Sequence, residues 1–599
     1  MSDSVSKQLG SNFNDEPSFS YQDVQESDAL TGLPSISEFY RLTETVAAKP
    51  EIAGVQLNIV YFNIENMKLY NERFGFEGGD ELLVFTAQAI ENSFAHALVA
   101  RVGDDRFVLL TYGDDLEEGL RCVHDSVISH NENQLTVIRA GVFAYNGEVE
   151  VSLACDRAKL ACDFIRGRYD VYWYQYDEGL LEMRDSKFFI LGRFDNALRE
   201  GHIQVYFQPI FRVIGSRVTE FEALARWIDP EVGFISPADF IPVLEESRLI
   251  HVLDLHIIET VCRQFSYILE HGYPIAAANV NLSRLDLELC DIVEETRKLM
   301  AHYNIPPNTV NIEITESTFG ESSELLRTTI DRFHDLGMQV WMDDFGSGYS
   351  SLNVLREYPF DVVKIDMSFL RHSDEFSRSK SRSMLPHVIS MMKDLGFQTL
   401  AEGVETRDQL DFLREIGCEK VQGYLFARPA PIEALSARIA AEEFHVEPEG
   451  QRAYMDVVGR VDLSYPATID SQLGDSLNLS NGLAAAIVEF HDNAVRYLAW
   501  NDSYIDYLRD IGMNTIENST KQMNDLTRLQ SKGFFAAAAK MKGVPEWINL
   551  SFYEGDDLCT GRARCIAFDD KNDTCAYVFI AFNVSRFLEQ SGQALPKLP

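Results

Sequence analysis

The sequence predicts a multidomain α/β protein whose largest part is a TIM-like (β/α)8 barrel. Three observations predict this. The chain has 599 residues, which at roughly 150 residues per domain suggests about four domains, or three when one is a barrel. Hydrophobic residues make up 46% and charged residues 24%, an ordinary globular composition that excludes wholesale disorder. Between residues 185 and 440, eight short β runs recur with helical stretches between most of them, the size and rhythm of such a barrel.

The elements follow in order. Residues 1–27 are rich in Ser, Asp, Asn and Gln and read as a loose tail. From 28 to 177, LNIVYFNI (57–64), FVLLTYG (107–113) and LTVIRAGVFAY (135–145) read as strands. GDELLVFTAQAIENSF (79–94) has helical spacing, with Gly79-Asp80 as its expected start. The eight barrel runs are VYFQPI, FEALARW, AANVNLS, VNIEITES, QVWMDDFG, VVKID, QTLAEGVE and VQGYLF. Residues 441–479 read as a polar linker with little periodicity. Residues 480–587 read as a small α+β unit: a strand, turn and strand over 483–502, the helix YIDYLRDIG, then a hairpin turning at Asp-Lys-Asn-Asp.

Charge narrows the function. Lys plus Arg number 53 and Asp plus Glu 93, a formal charge of −40. No polycation is available to displace counterions, so a nucleic-acid polymer or an anionic membrane is not the expected partner. No apolar run approaches the ~20 residues of a membrane span, and the first residues lack a signal-like apolar core. The nine cysteines are dispersed without a CxxC pair. That fits reduced thiols and a cytoplasmic location better than disulfides or zinc.

Acidic and amide residues stand where the barrel runs end: Glu222, Asn281, Glu313, Glu316, Asp343, Asp344, Glu402, Glu405 and Gln422, with Lys364 among them. In a barrel these strand ends converge on one face. Any one of them alone reads as an ordinary polar strand end. The full set, gathered without counterions, would be prohibitive to bury. Divalent cations with oxygen ligands, Mg²⁺ or Mn²⁺, solve that problem, and the adjacent Asp343 and Asp344 suit a two-metal site for phosphodiester chemistry. Lys364 would orient the attacking water or neutralise developing charge. Gly346 and Gly348 in DDFGSGYSS suggest a mobile loop beside the aspartates.

These motifs, with EALARW, FIPVLEESRLI, AEGVET and QGYLFARP in order, closely resemble the EAL family of cyclic-di-GMP phosphodiesterases over residues 185–440. The resemblance implies a barrel that dimerises, two Mg²⁺ or Mn²⁺ ions, and hydrolysis of cyclic-di-GMP to the linear dinucleotide pGpG. It implies Glu222, Asn281, Glu313, Asp343, Asp344 and Glu402 as metal ligands and Lys364 as the water-orienting, base-like residue. Gln208, Leu224, Arg226 and Gln422 resemble substrate contacts; Glu316 and Glu405 resemble residues that hold the loop and the site. Ser347 stands where Thr is usual, keeping the hydroxyl. The rival reading is a catalytically silent cyclic-di-GMP receptor, which the complete ligand set opposes.

Residues 28–177 resemble the GGDEF family of diguanylate cyclases, from DALTGLPSISEF onward. The literal string at Gly78–Glu81 is a decoy, because NERFGFEGGDELL matches an earlier stretch of that family. The signature position is Gly103-Asp104-Asp105-Arg106-Phe107. Asp104 crowds and repels triphosphate, Arg106 replaces the Glu, and Asn63 replaces the metal-binding Asp. Asp163 replaces a phosphate-contacting Lys, and Phe94 and Ala97 occupy the positions of the product-inhibition motif. The resemblance therefore implies a degenerate GGDEF domain without cyclase activity. Asn71 and Asp80 match guanine-contacting positions. Either they are a solvated Asn and a helix cap, or they mark retained GTP binding. Residues ~480–587 weakly resemble a PAS sensor domain. There His491, at a hairpin turn, reads as solvated rather than as a haem ligand, and Cys559, Cys565 and Cys575 lack zinc-like spacing.

Overall fold

The computed structural model describes residues 24–463 and 483–583, apart from 50–55, 95–96, 113–114, 131–135, 169, 275, 316–322, 347–350, 367–374, 493, 529–530, 532–537, 539, 541, 545 and 555–556. The chain divides into two compact units, Met1–Ile190 and Leu191–Pro599.

The first unit holds a five-stranded sheet of β1 (Leu57–Glu65), β2 (Leu98–Gly103), β3 (Arg106–Tyr112), β4 (Val137–Tyr145) and β5 (Trp173–Gln175), in the order β2-β3-β1-β4-β5. β1 is buried at seven of its nine positions, as a central strand covered on both faces should be. Apolar clusters on each face, one around Phe39, Ile59 and Ala158 and the other around Val60, Leu82 and Val123, account for that. Gly79 and Asp80 are not a helix start: they lie inside the helix Met67–Ser93, whose non-helical residue is Gly75 at φ 75°. That conformation suits glycine, so the break in the helix falls there. Gly103-Asp104-Asp105-Arg106 forms the β2–β3 hairpin turn, with Gly103 at φ 133° and Asp104 at φ 50°. Arg106 pairs in register with Asn63.

In the second unit eight strands close into a barrel: β6 (Ile203–Arg212), β7 (Val218–Asp229), β9 (Ala277–Leu282), β10 (Val310–Thr315), β11 (Val340–Phe345), β12 (Val362–Asp366), β13 (Gln398–Glu402) and β14 (Lys420–Val421), with β8 (Gly233–Ile235) attached outside β7. Seven of the eight runs read from the sequence overlap barrel strands, whereas VQGYLF (421–426) meets its strand, β14, at Val421 alone. The barrel departs from a uniform βα repeat in one respect. β6 runs antiparallel to both β7 and β14, while the other neighbours are parallel. The reason lies in the connection: only five residues, 213–217, separate β6 from β7, and a parallel crossover needs a dozen or more. An apolar layer of Ile210, Trp341, Val362 and Leu400 plugs the interior. Polar tiers lie at both ends of it.

Beyond the barrel, β15 (Ala484–His491), β16 (Ala494–Trp500), β17 (Ile548–Glu554), β18 (Asp557–Asp569) and β19 (Thr574–Asn583) form an antiparallel sheet in the order β16-β15-β19-β18-β17. Strand alternation sends Ala484, Ala486 and Val488 against the helix Asp502–Asp510, and Ala485 and Ile487 toward the helix Glu449–Gly459. That second helix stands in the stretch expected to lack helical pattern. Its residues divide between two partners. Tyr454, Met455 and Val458 pack under the sheet, while Asp456 faces the closed end of the barrel. There Arg212 makes two 2.7 Å bonds to Glu447 and one of 2.8 Å to Asp456, and Lys420 pairs with Glu220 at 3.0 Å. Its buried Tyr454, Met455 and Val458 stand at helical spacing on one face.

Arg212→Ala strands the buried Glu447 carboxylate without its cation. The expected loss is about 3–5 kcal/mol of stability, measured by chemical denaturation of the full chain; a loss below about 1 kcal/mol would show that the pair is not structural.

Candidate functional site

At the other end of the barrel the strand termini converge on the Lys364 ammonium. β12 presents Lys364, which is 1% exposed. Its Nζ lies 2.6 Å from Glu313, 2.7 Å from Glu402, 3.1 Å from Asp343 and 3.3 Å from Glu222. These carboxylates come from β10, β13, β11 and β7, so the site exists only when the barrel is closed. Asp343 and Asp344 are consecutive, and an ordinary strand would send them to opposite faces. Here the β11–β12 register shifts between Met342 and Phe345, and Asp344 is left-handed at φ 58°. That bulge allows both carboxylates to serve one site.

Two overlapping groups could hold a metal ion: Glu222, Glu313 and Asp343, and Asp343, Asp344 and Glu402, each with ligand atoms within 4.8 Å of one another. Asn281 Nδ2 donates to Glu222 Oε1 at 3.3 Å. Gln422 Nε2 donates to Glu222 Oε2 at 2.6 Å and to Gln208 Oε1 at 3.1 Å, and Gln208 passes its own amide hydrogen to Ala427 O. Gln422 is held this close because its neighbour is glycine: a Cβ on Gly423 would lie 2.1 Å from the Val404 carbonyl oxygen. A cavity of about 260 Å³ opens over Gln208, Glu222, Glu402, Glu405, Gln422 and Tyr424.

The electrostatics follow from the crowding. Burial alone would push the Lys364 ammonium down, but Asp343, Glu222, Glu313 and Glu402 together hold it well above the ordinary lysine value. Burial raises Glu313 far above the carboxylate range, with Glu222 and Asp343 adding to the rise and Lys364 opposing it. Glu402 is raised to about 8, again chiefly by burial. Asp344 rises through burial and the neighbouring Asp343. Glu222 alone falls, because Lys364 and the amides of Gln422 and Asn281 outweigh its burial. The all-oxygen donor set fits Mg²⁺ or Mn²⁺.

The structure therefore gathers Glu222, Asn281, Glu313, Asp343, Asp344, Lys364, Glu402, Gln208 and Gln422. Glu405 is an exposed residue of the same cavity wall. Leu224 and Arg226 are half-buried on β7; Arg226 bonds to the Ala225 carbonyl and lies 5.9 Å from the Tyr206 ring. Glu316, Ser347 and Gly348 lie outside the described residues, as does the Cys559 side chain. Sequence reasoning missed Asp366, opposite Glu402 in register, and a buried carboxyl pair, Asp254 and Asp286, below the Asn281 strand end. Asp286 accepts from the Ser283 main chain at 2.6 Å. Asp366 was legible in VVKID, two residues beyond Lys364. The Asp pair joins two helices distant in sequence and left no local signal.

In the first unit, Asn63, Asp105, Arg106, Lys159, Asp163 and Arg166 border a cavity of about 330 Å³. Arg106 bonds Asp104 at 2.8 Å, and burial raises the Asp163 carboxyl. Asn71, half-buried, and Asp80, exposed, lie away from that cavity on the helix Met67–Ser93.

Comparison with known proteins gives the family. Residues 25–153 match the diguanylate cyclase, GGDEF domain family, and residues 192–429 match the EAL domain family. The chain belongs to the proteins that carry GGDEF and EAL domains in tandem. It is 30% identical to the cyclic di-GMP phosphodiesterase PdeR of Escherichia coli over 69% of this chain and 63% of that protein. It is 28% identical to the bifunctional diguanylate cyclase/cyclic di-GMP phosphodiesterase MucR of Pseudomonas aeruginosa over 64% of this chain and 57% of that one. A solved phosphodiesterase structure of MucR in complex with c-di-GMP aligns at 30% identity and TM-score 0.39, covering 41% of this chain and 99% of that chain. The chain spans between about half and just under two thirds of the length of its curated relatives. No helix among the described residues is long and apolar enough to cross a membrane.

The Asp254–Asp286 pair gives a pH dependence. Burial and the partner carboxylate raise Asp254 well above its ordinary value, with Glu245 adding. Asp286 is raised to about 6, by burial first and Glu245 after it. The folded chain therefore binds protons more tightly here than the unfolded chain, so the pair's contribution is whole below about pH 4 and is lost as pH rises through about 6. Asp254→Asn keeps an amide donor toward Asp286 and removes one charge. It is expected to stabilise the chain at pH 8 and to leave it near wild type at pH 5, read as the shift in denaturation midpoint at each pH. Equal shifts at the two values would contradict the assignment.

Proposed function

We propose that the barrel is a metal-dependent phosphodiesterase that hydrolyses cyclic-di-GMP to linear pGpG. The observation that carries this reading is the convergence of Glu222, Glu313, Asp343 and Glu402 on one buried lysine, with Asn281 and Asp344 beside them. These six residues would hold two Mg²⁺ or Mn²⁺ ions. Bound there, such a pair supplies an activated water and charge neutralisation on a phosphodiester. The Lys364 ammonium donates to the water it orients and offsets charge developing on the phosphoryl oxygens; an ammonium has no lone pair and takes up no proton. Gln422 and Gln208 fix Glu222, so that this ligand does not swing when substrate enters. In this reading Arg226 and Leu224 on β7 would contact the substrate, Arg226 through a phosphate, and Glu405 would steady the wall that Glu402 ends. Glu316 is read as an anchor of the DDFGSG loop.

The GGDEF domain is catalytically inactive and serves either as a scaffold, with Asn71 solvated and Asp80 an ordinary helix residue, or as a regulatory element with GTP bound near those two residues. The barrel forms a homodimer, the chain works in the cytoplasm, and the C-terminal sheet is a PAS-like sensor. An apolar cavity bordered by Tyr497, Tyr504 and Phe579 between that sheet and its helices supports the sensor role.

Purified protein incubated with cyclic-di-GMP is expected to release pGpG on chromatography only when Mg²⁺ or Mn²⁺ is supplied, and Glu222→Ala is expected to lower turnover by orders of magnitude with the fold intact. Full activity in excess chelator would sink the metal-dependent reading. Binding without turnover at any metal concentration would favour the receptor instead. For the first domain, Lys364→Ala silences the barrel so that any product survives, and GTP is then expected to yield no cyclic-di-GMP. An appearance of product would establish a second activity. Addition of GTP to the wild type, but not to Asn71→Ala, is expected to change the hydrolysis rate; no change in either, with no heat of GTP binding, leaves the domain a scaffold.

A further inference from the structure

Beneath the acidic cluster the barrel interior carries a second polar tier. Asn279 lies two residues before Asn281 on β9, and Asn311 two before Glu313 on β10. The period-2 alternation of a strand turns each pair to the same side. Parallel register then sets Asn279 beside Asn311 and Asn281 beside Glu313. Asn279, Asn311 and Glu313 are 0%, 3% and 0% exposed, so each polar atom must find its partner inside the barrel.

The partners form a single directed chain. The main-chain N–H of Gln339 donates to Asn311 Oδ1 at 3.4 Å, Asn311 Nδ2 donates to Asn279 Oδ1 at 2.9 Å, and Asn279 Nδ2 donates to Glu313 Oε1 at 2.9 Å. Its sense is fixed at the start. A backbone N–H can only donate, so Asn311 turns its oxygen to Gln339 and its NH₂ to Asn279. Asn279 has then accepted on one side and must donate on the other. Reversing both amides would set the Asn279 carbonyl oxygen against the Glu313 carboxylate and the Asn311 NH₂ against the Gln339 N–H, a mismatch at each end. The relay therefore occupies Glu313 Oε1, while Oε2 reaches Lys364 at 2.6 Å.

We infer that Asn279, backed by Asn311, is a positioning residue: it fixes the Glu313 carboxylate so that one oxygen alone faces the cation site. The inference rests on the metal-dependent reading above. A ligand carboxylate left to rotate costs ordering energy each time it binds a cation, and loss of such an outer partner typically weakens metal affinity or activity 10- to 100-fold. A purely structural ladder between β9 and β10 would instead lower stability and leave cation binding alone.

The test uses the full chain stripped of metal by chelator and titrated with Mn²⁺ by calorimetry. Asn279→Val is expected to bind Mn²⁺ about 10- to 100-fold more weakly than wild type. Because that change leaves Asn311 unpaired, Asn279→Val/Asn311→Val removes both amides together, which keeps the fold closer to neutral, and is expected to show the same weakening with an unchanged circular dichroism spectrum. Affinity within twofold of wild type in the double variant would overturn the inference. Wild-type protein that takes up no Mn²⁺ would instead defeat the phosphodiesterase reading. The metal-free crystal structure of the double variant then decides the relay: a rotated Glu313 carboxylate upholds it and an unmoved one overturns it.

Discussion

Five carboxylates crowd one ammonium at the mouth of the barrel, and much of the second unit is arranged around that imbalance. Glu222, Glu313, Asp343, Asp344 and Glu402 against Lys364 leave an excess of four negative charges when all are ionised. A charge of that density in a buried site neutralises itself by taking up protons or recruits cations. The raised carboxyls of Glu313 and Glu402 are the first response; two divalent ions, in the proposed reading, are the second. The all-oxygen ligand set, the bulge that turns Asp344 inward and the amides that restrain Glu222 and Glu313 all serve the same end, a rigid arrangement that stays open to a cation.

The opposite end of the barrel solves a similar problem differently. Arg212 against Glu447 and Asp456, and Lys420 against Glu220, are charges matched in place. Two cations against three carboxylates leave an excess of one negative charge here, compared with four at the acidic end, so this end reads as structure while the acidic end reads as chemistry. The pairing also anchors the helix Glu449–Gly459, whose other residues lie under the C-terminal sheet. A rearrangement of that sheet would therefore be felt first at the closed end of the barrel.

The sequence was most legible where chemistry and periodicity coincide. Most of the barrel strands could be read because a short apolar run is followed by an acidic or amide residue, and those ends are the site; β6 is the exception, running antiparallel and ending at Arg212 on the opposite side. The decoy at Gly78–Glu81 was read from the order of motifs in the resemblance, and these residues lie inside the helix Met67–Ser93, whereas Arg106 and Asn63 sit on paired strands. What escaped reading was non-local. The antiparallel course of β6 depends on where its neighbours lie in the ring. Asn279 and Asn311 look like ordinary strand residues until the register sets them side by side. Asp254 and Asp286 meet only through packing between helices.

The most direct test of the central claim is a count of cations. Crystals of the full chain grown with Mn²⁺ and measured at the manganese edge should show two anomalous peaks at the barrel mouth, bounded by Glu222, Asn281, Glu313, Asp343, Asp344 and Glu402. With the excess charge carried by the metals, Lys364 should be released from at least one of its four carboxylate contacts. No peak there at saturating Mn²⁺, with all four contacts to Lys364 retained, would contradict the account.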